Sequence, residues 1–301
     1  MNSGIINVYK EAGWTSFDVV AKLRSILHIK KIGHTGTLDP DATGVLPVCI
    51  GKATKLCDML TDKDKVYECV MMLGVTTDTY DLSGKILDRQ AVLCTEDEAV
   101  EVINSFVGDI MQVPPMYSAL KVNGKKLYEL AREGKEIERK PRPVQIYSID
   151  ILEMTLPQIK VRVHCGKGTY IRSLCHDIGV KLGRGCAMKS LMRTRVSQFD
   201  LSDAHTLEEI EKIVKSNNLK GILLPLDQAF ANFPCLYVIP NEEAIKVAIN
   251  GGKLSQSLVF SETVSRFEEG EKYRMYLPDN RFLGIYIYTE DNFKLEKFFL
   301  E

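Results

Sequence analysis

Asp39 is the residue of this sequence best placed to do chemistry, because of what surrounds it. It stands in GHTGTLDPDATG, residues 33–44, a stretch with glycines at Gly33, Gly36 and Gly44 and almost nothing to bury. Pro40 disfavours helical backbone at the residue before it, so Asp39 is held extended. The glycines allow backbone conformations closed to other residues and let a ligand come near. The expected result is a carboxylate displayed at a bend. The letters DPDAT at 39–43 fit D-x-D-x-T, the pattern of phosphatases that form an aspartyl phosphate. That pattern needs a hydrophobic strand directly before its first aspartate, and GHTGTL stands there instead. Nor is there a phosphate loop: GKA at 51–53 follows Gly44 at the wrong spacing and lacks the hydroxyl residue that binds magnesium.

The elements around this stretch are legible from periodicity. TSFDVVAKLRSIL opens with the cap candidates Thr15 and Ser16, and Val20, Leu23 and Leu27 recur at helical spacing, which predicts an amphipathic helix ending before the glycines. VYECVMMLGV, from Val66 to Val75, is nearly continuous apolar sequence and predicts a buried strand. Thr95 with Glu98 and Thr206 with Glu209 are capping boxes, each announcing a helix. IKVRVHC alternates, with Ile159, Val161, Val163 and Cys165 on one face and Lys160, Arg162 and His164 on the other, so it reads as a half-buried strand with a basic outer face. A helix follows through Tyr170, Leu174, Ile178 and Leu182, stopped by Gly183, and Arg172 falls in its first turn. Between Gly108 and Pro143 periodicity dissolves into prolines, aromatics and eight basic residues against four glutamates, long for a connection in a compact domain. Beyond about residue 232, short pieces such as RMYLP and FLGIYIY predict a small β-rich domain.

Composition narrows the function classes. A chain of 301 residues is long for one core, and 45% hydrophobic content separates it from disordered sequences. The first twenty residues, with Lys10, Glu11 and Asp18, do not read as a secretory signal, and no apolar run nears the ~18 residues of a membrane span. A cytoplasmic protein without membrane contact is expected. The cysteines are irregularly spaced without a C-x-x-C, which favours buried thiols. The pairs His164-Cys165 and Cys175-His176 raise the question of a metal, but consecutive residues on a strand point to opposite faces. The net charge of −1 conceals a local +8 over residues 160–195 and −6 from residue 200 onward. A polyanion would meet the middle of the chain first.

The glycine-rich stretch, extended to GHTGTLDPDATGVLPVCIGKATK, resembles the catalytic motif of the TruB family of bacterial tRNA pseudouridine-55 synthases. KEAGWTS at 10–16, KVYE at 65–68, VPPMYSALKVNGKKLYELAREG at 113–134, GTYIRSLCHDIG at 168–179 and LMRTRVSQF at 191–199 follow in that family's order. KEAG departs from the family's usual K-P-x-G, so the turn there is less pre-set, although Gly13 remains. The resemblance implies an α/β fold with a central mixed, largely antiparallel sheet, a catalytic domain at 1–232 carrying an RNA-binding thumb at about 108–143, and a PUA-like domain at 233–301.

The implied reaction breaks the N1 glycosidic bond of a uridine in the tRNA T-arm loop, turns the base and rejoins it through C5, with no metal and no cofactor. By resemblance Asp39 is the carboxylate that attacks either C1′ or C6, Arg172 pairs with it, and Tyr67 stacks on the base, either only stacking or also taking a proton from sugar or base; on the residues alone Tyr67 reads as a core aromatic at a strand start. His34, Tyr170 and Leu191 match substrate-contacting positions, as do Lys10 and Gly36. Lys121, Lys125 and Lys126 in the thumb, with the basic run at 160–195, are expected to hold phosphates. The partner implied is tRNA, bound by a monomer. A non-catalytic RNA-binding protein or RNA chaperone is the alternative, which the set Asp39, Tyr67 and Arg172 disfavours.

Overall fold

The computed structural model describes residues 3–122 and 124–300. Its first core is built on a nine-stranded sheet. The elements that matter to the site are β1 (Gly4–Lys10), α1 (Ser16–Leu27), β2 (Ile32–His34), β3 (Thr43–Ile50), β4 (Lys65–Leu73), α2 (Glu96–Asn104), β5 (Gly108–Gln112), β6 (Arg142–Thr155), β7 (Gln158–Cys165), α3 (Ile171–Lys181), β8 (Cys186–Val196) and α4 (Leu207–Lys215). The sheet runs β1-β3-β8-β4-β7-β6-β5, with β2 added on β3. Only the β3–β8 contact in that path is parallel, so the sheet is mixed and mostly antiparallel.

The predicted helix starts hold in detail. Thr15 caps α1 through a box with Asp18, and Thr95 and Thr206 cap α2 and α4 through Glu98 and Glu209. The stripe of α1 that is buried, Val19, Val20, Leu23 and Ile26, lies one residue away from the Leu27 that the periodicity included. These residues pack with Leu207 and Ile210 of α4 on Ile6, Val8, Leu46 and Val48 of β1 and β3. The other face of the same strands, at Ile5, Val45 and Cys49, meets Phe230, Ile285 and Phe299. Both faces of β1 and β3 are therefore covered, which is what their unbroken apolar runs require.

β4 differs from the expectation of a strand buried on both sides. Its burial alternates: Tyr67, Cys69, Met71 and Leu73 are buried, and Val66, Glu68, Val70 and Met72 are half-exposed. Helices α2 and α3 cover one face only, through Ala99, Ile103, Leu174 and Ile178. On the opposite face Glu68 takes Lys160 at 3.2 Å and Arg162 at 2.9 Å. A continuous apolar run is thus compatible with one covered face when a single carboxylate pairs the cations of the neighbouring strand.

The aperiodic excursion is anchored at both ends in the sheet, since β5 pairs with the start of β6. Within it lie a short hairpin, Lys121–Val122 with Lys125–Lys126, and a helix, Leu127–Arg132. The C-terminal part forms a separate six-stranded sheet with its own core of Leu236, Val238, Tyr273, Met275, Tyr286 and Phe293. It also contains a helix, Glu242–Ile249, capped by Asn241, which the strand-like sequence did not announce. Among the described residues no helix is long and apolar enough to cross a membrane.

Candidate active site

The stretch that carries Asp39 runs from β2 to β3 and is pinned along its length. The Thr35 amide donates to the Pro47 carbonyl at 3.1 Å. Leu38 donates its amide to Ser16 Oγ at 2.9 Å, in the first turn of α1. The Pro40 carbonyl accepts from Lys10 Nζ at 2.9 Å and from the Gly13 amide at 3.0 Å. Ala42 donates to the carbonyl of Asp39 at 3.1 Å, closing a turn around Pro40. Asp39 is therefore at a bend whose backbone polar groups are taken up internally, and its side chain points away from that network.

Arg172 receives the carboxylate. Its Nε lies 2.9 Å from Asp39 Oδ2 and its Nη2 donates to Oδ1 at 3.1 Å, a two-pronged contact that fixes direction as well as charge. The guanidinium is itself held by the carbonyls of Thr79 (3.2 Å) and Tyr117 (2.8 Å), and Asp81 Oδ2 lies 3.8 Å from Nε. The Arg172 side chain is 6% exposed and that of Asp39 is 38% exposed, so the pair is a buried cation presenting a carboxylate at an opening. Burial pushes the Asp39 carboxyl up; Arg172 pulls it down, Asp81 raises it again, and the net direction is upward. Such a carboxylate is more basic than an ordinary aspartate, and its fixed partner favours the ionised form against the burial.

Tyr67 is buried on β4, flanked across the sheet by Val163 and Arg193. Burial pushes its phenol up and Arg193 opposes this, leaving a neutral hydroxyl near pH 7. Leu38, Ala42, Ile171 and Leu174 share its core cluster, and half-buried Leu191 packs against it. Tyr170 precedes α3, with its backbone held at both N–H and carbonyl by the Gln112 amide (2.8 and 3.1 Å). The structure thus brings Asp39 and Arg172 together beside the core cluster that holds Tyr67 and Leu191, with Tyr170 at the start of the helix that carries Arg172.

Two residues of the expected substrate set are engaged within the protein. Lys10 is fully buried, with Nζ donating to the Glu11 and Pro40 carbonyls, so it supports the loop from beneath. Burial pushes its ammonium down to about 8 against the pull of Asp39 and Asp41. Gly36 has its amide donated to His34 Nδ1 and its carbonyl occupied by Arg193.

The basic run at 160–195 is also not one surface. Lys160, Arg162 and His164 alternate with Val161 and Val163 on β7, so they lie on the face of the sheet away from α3 and Asp39. There Asp64 lies 2.7 Å from His164 Nε2 and 3.0 Å from Arg195 Nη2. His164 and Cys165 do point to opposite faces, the thiol buried.

His34 stands near the rim, edge-on to Phe17 with ring centroids 5.4 Å apart. Phe17 is 66% exposed, and Lys126 Nζ of the thumb hairpin lies 5.7 Å from its ring centre. Lys121 and Lys125 are exposed on the same hairpin. Phe17, Asp81, Gln112 and Arg193 were not found from the sequence. Phe17 carried a usable signal, an aromatic in the first turn of a helix beside the glycine-rich stretch; the other three depend on long-range packing.

Comparison with known proteins gives a consistent set. Residues 24–171 match the model of the TruB family pseudouridylate synthase N-terminal domain, and 172–231 that of the tRNA pseudouridylate synthase B C-terminal domain. The chain is 54% identical over 296 residues to the tRNA pseudouridine synthase B of Lachnoclostridium phytofermentans, with 96% of each chain covered. It is 44% identical over 297 residues to that of Clostridium kluyveri, with 99% of each covered. Among solved structures, a Cbf5–Nop10–Gar1 complex matches with a TM-score of 0.73 at 27% identity, covering 99% of this chain and 84% of that one. An H/ACA RNP bound to a substrate RNA containing 2′-deoxyuridine matches with a TM-score of 0.74 at 25% identity, covering 99% and 85%.

Proposed function

The chain belongs to the TruB family of pseudouridylate synthases, and we propose that it acts on the T-arm loop of tRNA, with Asp39 as the nucleophile that isomerises one uridine there. It is a tRNA pseudouridine synthase, an isomerase. The observation that carries the assignment of Asp39 is its two-pronged contact with buried Arg172 beside Tyr67.

A uridine stacked within the arm is out of reach and is extruded at a cost of a few kcal/mol. Exposed Phe17, with His34 and the lysines of the thumb hairpin, is suited to hold the distorted loop by stacking and charge. The extruded base lodges against Tyr67. The ionised Asp39 attacks C1′ or C6, the N1–C1′ bond breaks, the base turns, and a C5–C1′ bond forms. The C5 proton then leaves, N1 gains a proton, and the carboxylate is restored, so atoms balance without an added reactant. Tyr67 meets this sequence as a neutral phenol, able to stack and to pass a proton through its hydroxyl.

In this reading residues 1–232 are the catalytic domain, 108–143 the thumb and 233–301 a PUA-like RNA-binding domain, and the enzyme works as a monomer in the cytoplasm. The test of the substrate is a pair of synthetic stem-loops bearing tritium at uridine C5, one with the T-arm sequence and one with the anticodon-arm sequence. Tritium release from the T-arm loop alone is expected. Release from the anticodon arm with none from the T-arm would overturn the T-arm assignment.

A further inference from the structure

Arg193 is 1% exposed, and among the described residues no carboxylate lies within ion-pair distance of it. A buried cation without a counter-charge is costly, and an apolar side chain of similar size would fill the same space without that cost. What the guanidinium does instead is bridge. Its Nε donates to the carbonyl of Val45 at 2.8 Å and its Nη2 to the carbonyl of Gly36 at 3.2 Å. Those two carbonyls bracket the loop that presents Asp39.

The backbone of Arg193 takes part as well. β8 meets β3 in parallel at Met192 with Thr43 and at Arg193 with Gly44. A Cβ on Gly44 would fall 2.2 Å from the Arg193 carbonyl oxygen, and Gly44 has φ +105, so only glycine fits. Gly36, with φ +147, would place a Cβ 3.7 Å from Arg193 Nη1. Two of the three glycines of the motif are thus packed on this one residue. On its other side Arg193 is the cross-strand neighbour of Tyr67.

We propose that Arg193 is a positioning residue for the isomerisation: it clamps both ends of the Asp39 loop to β8 and thereby fixes Asp39 relative to Tyr67. It touches neither base nor sugar. The planar fork is what a lysine lacks, because one ammonium on a flexible stem cannot hold two carbonyls in fixed directions. Its charge has a secondary effect, opposing the rise of the Tyr67 phenol and helping burial to keep His34 neutral.

The inference rests on the isomerase reading, and the test separates the two. Single-turnover formation of pseudouridine in saturating tRNA, tRNA affinity and thermal midpoint are measured for the wild type, Arg193→Met and Arg193→Lys. If the wild type forms no pseudouridine, the isomerase reading itself fails. If it does, both variants are expected to lose about 100-fold in the chemical rate, the scale of an ångström of misplacement. Their tRNA affinity should stay within about threefold, since the side chain makes no contact with RNA. A rate within threefold of wild type in either variant would overturn the clamp, and so would affinity, rate and thermal midpoint falling together even in Arg193→Lys, which would mark Arg193 as a support of the whole fold.

Discussion

Asp39 and Arg172 divide their work by exposure: the carboxylate is at the opening and the guanidinium is buried behind it. In the proposed reaction Asp39 attacks in its ionised form, so turnover is expected to rise with pH through its titration. Burial places that limb above the ordinary aspartate range, and Arg172 restrains the rise. Arg172→Gln removes the restraint, so its residual single-turnover rate should show the acid limb at higher pH than the wild type. A limb unmoved or shifted to lower pH would show that the guanidinium does not set the Asp39 titration. Asp39 was legible in the letters from the glycines and the proline around it; the roles of Tyr67 and Arg172 came only from the family resemblance, since a tyrosine at a strand start reads alone as a core aromatic. The inward placing of Arg193 and Lys10 was not legible: Arg193 reads as one more cation of a basic run, Lys10 entered only through the resemblance, and the packing alone shows both turned to backbone carbonyls.

At the level of elements, period-two alternation in β7 predicted a basic outer face, and the strand has one. What the alternation could not supply was which side of the sheet holds the site, since that depends on where α3 returns. The register of β7 on β4 puts Arg162 opposite Glu68 and Lys160 opposite Val70, from where both cations pair with Glu68 on the face away from Asp39. The thumb hairpin lies on the side of Phe17 and His34. The two sets of lysines should therefore behave differently. Lys121→Ala is expected to weaken tRNA binding and to lower the slope of log affinity against log salt by about one, as for one lost phosphate contact. Lys160→Ala should leave both unchanged. Equal effects from the two substitutions would contradict this division of the sheet.

For the molecule as a whole, the two sheets are joined through β3 and the residues after it. Lys52 and Lys55, in the GKATK that closes the catalytic motif, donate to the carbonyls of Leu300 (2.8 Å) and Phe298 (2.9 Å). Ile285 and Phe299 complete the core against Ile5 and Cys49. The strand that ends the Asp39 loop is thus backed by the C-terminal sheet, a structural use for a segment that lies within the acidic stretch from residue 200 onward. The β-rich tail was readable from its short strands; its docking was not, because lysines that cap a distant chain end look like any exposed lysine in sequence. All of this scaffolding serves one carboxylate, and the most direct measurement is Asp39→Asn on tritium-labelled tRNA, with RNA affinity followed in parallel. Retained binding with no tritium release is predicted; pseudouridine appearing at the wild-type rate would contradict it.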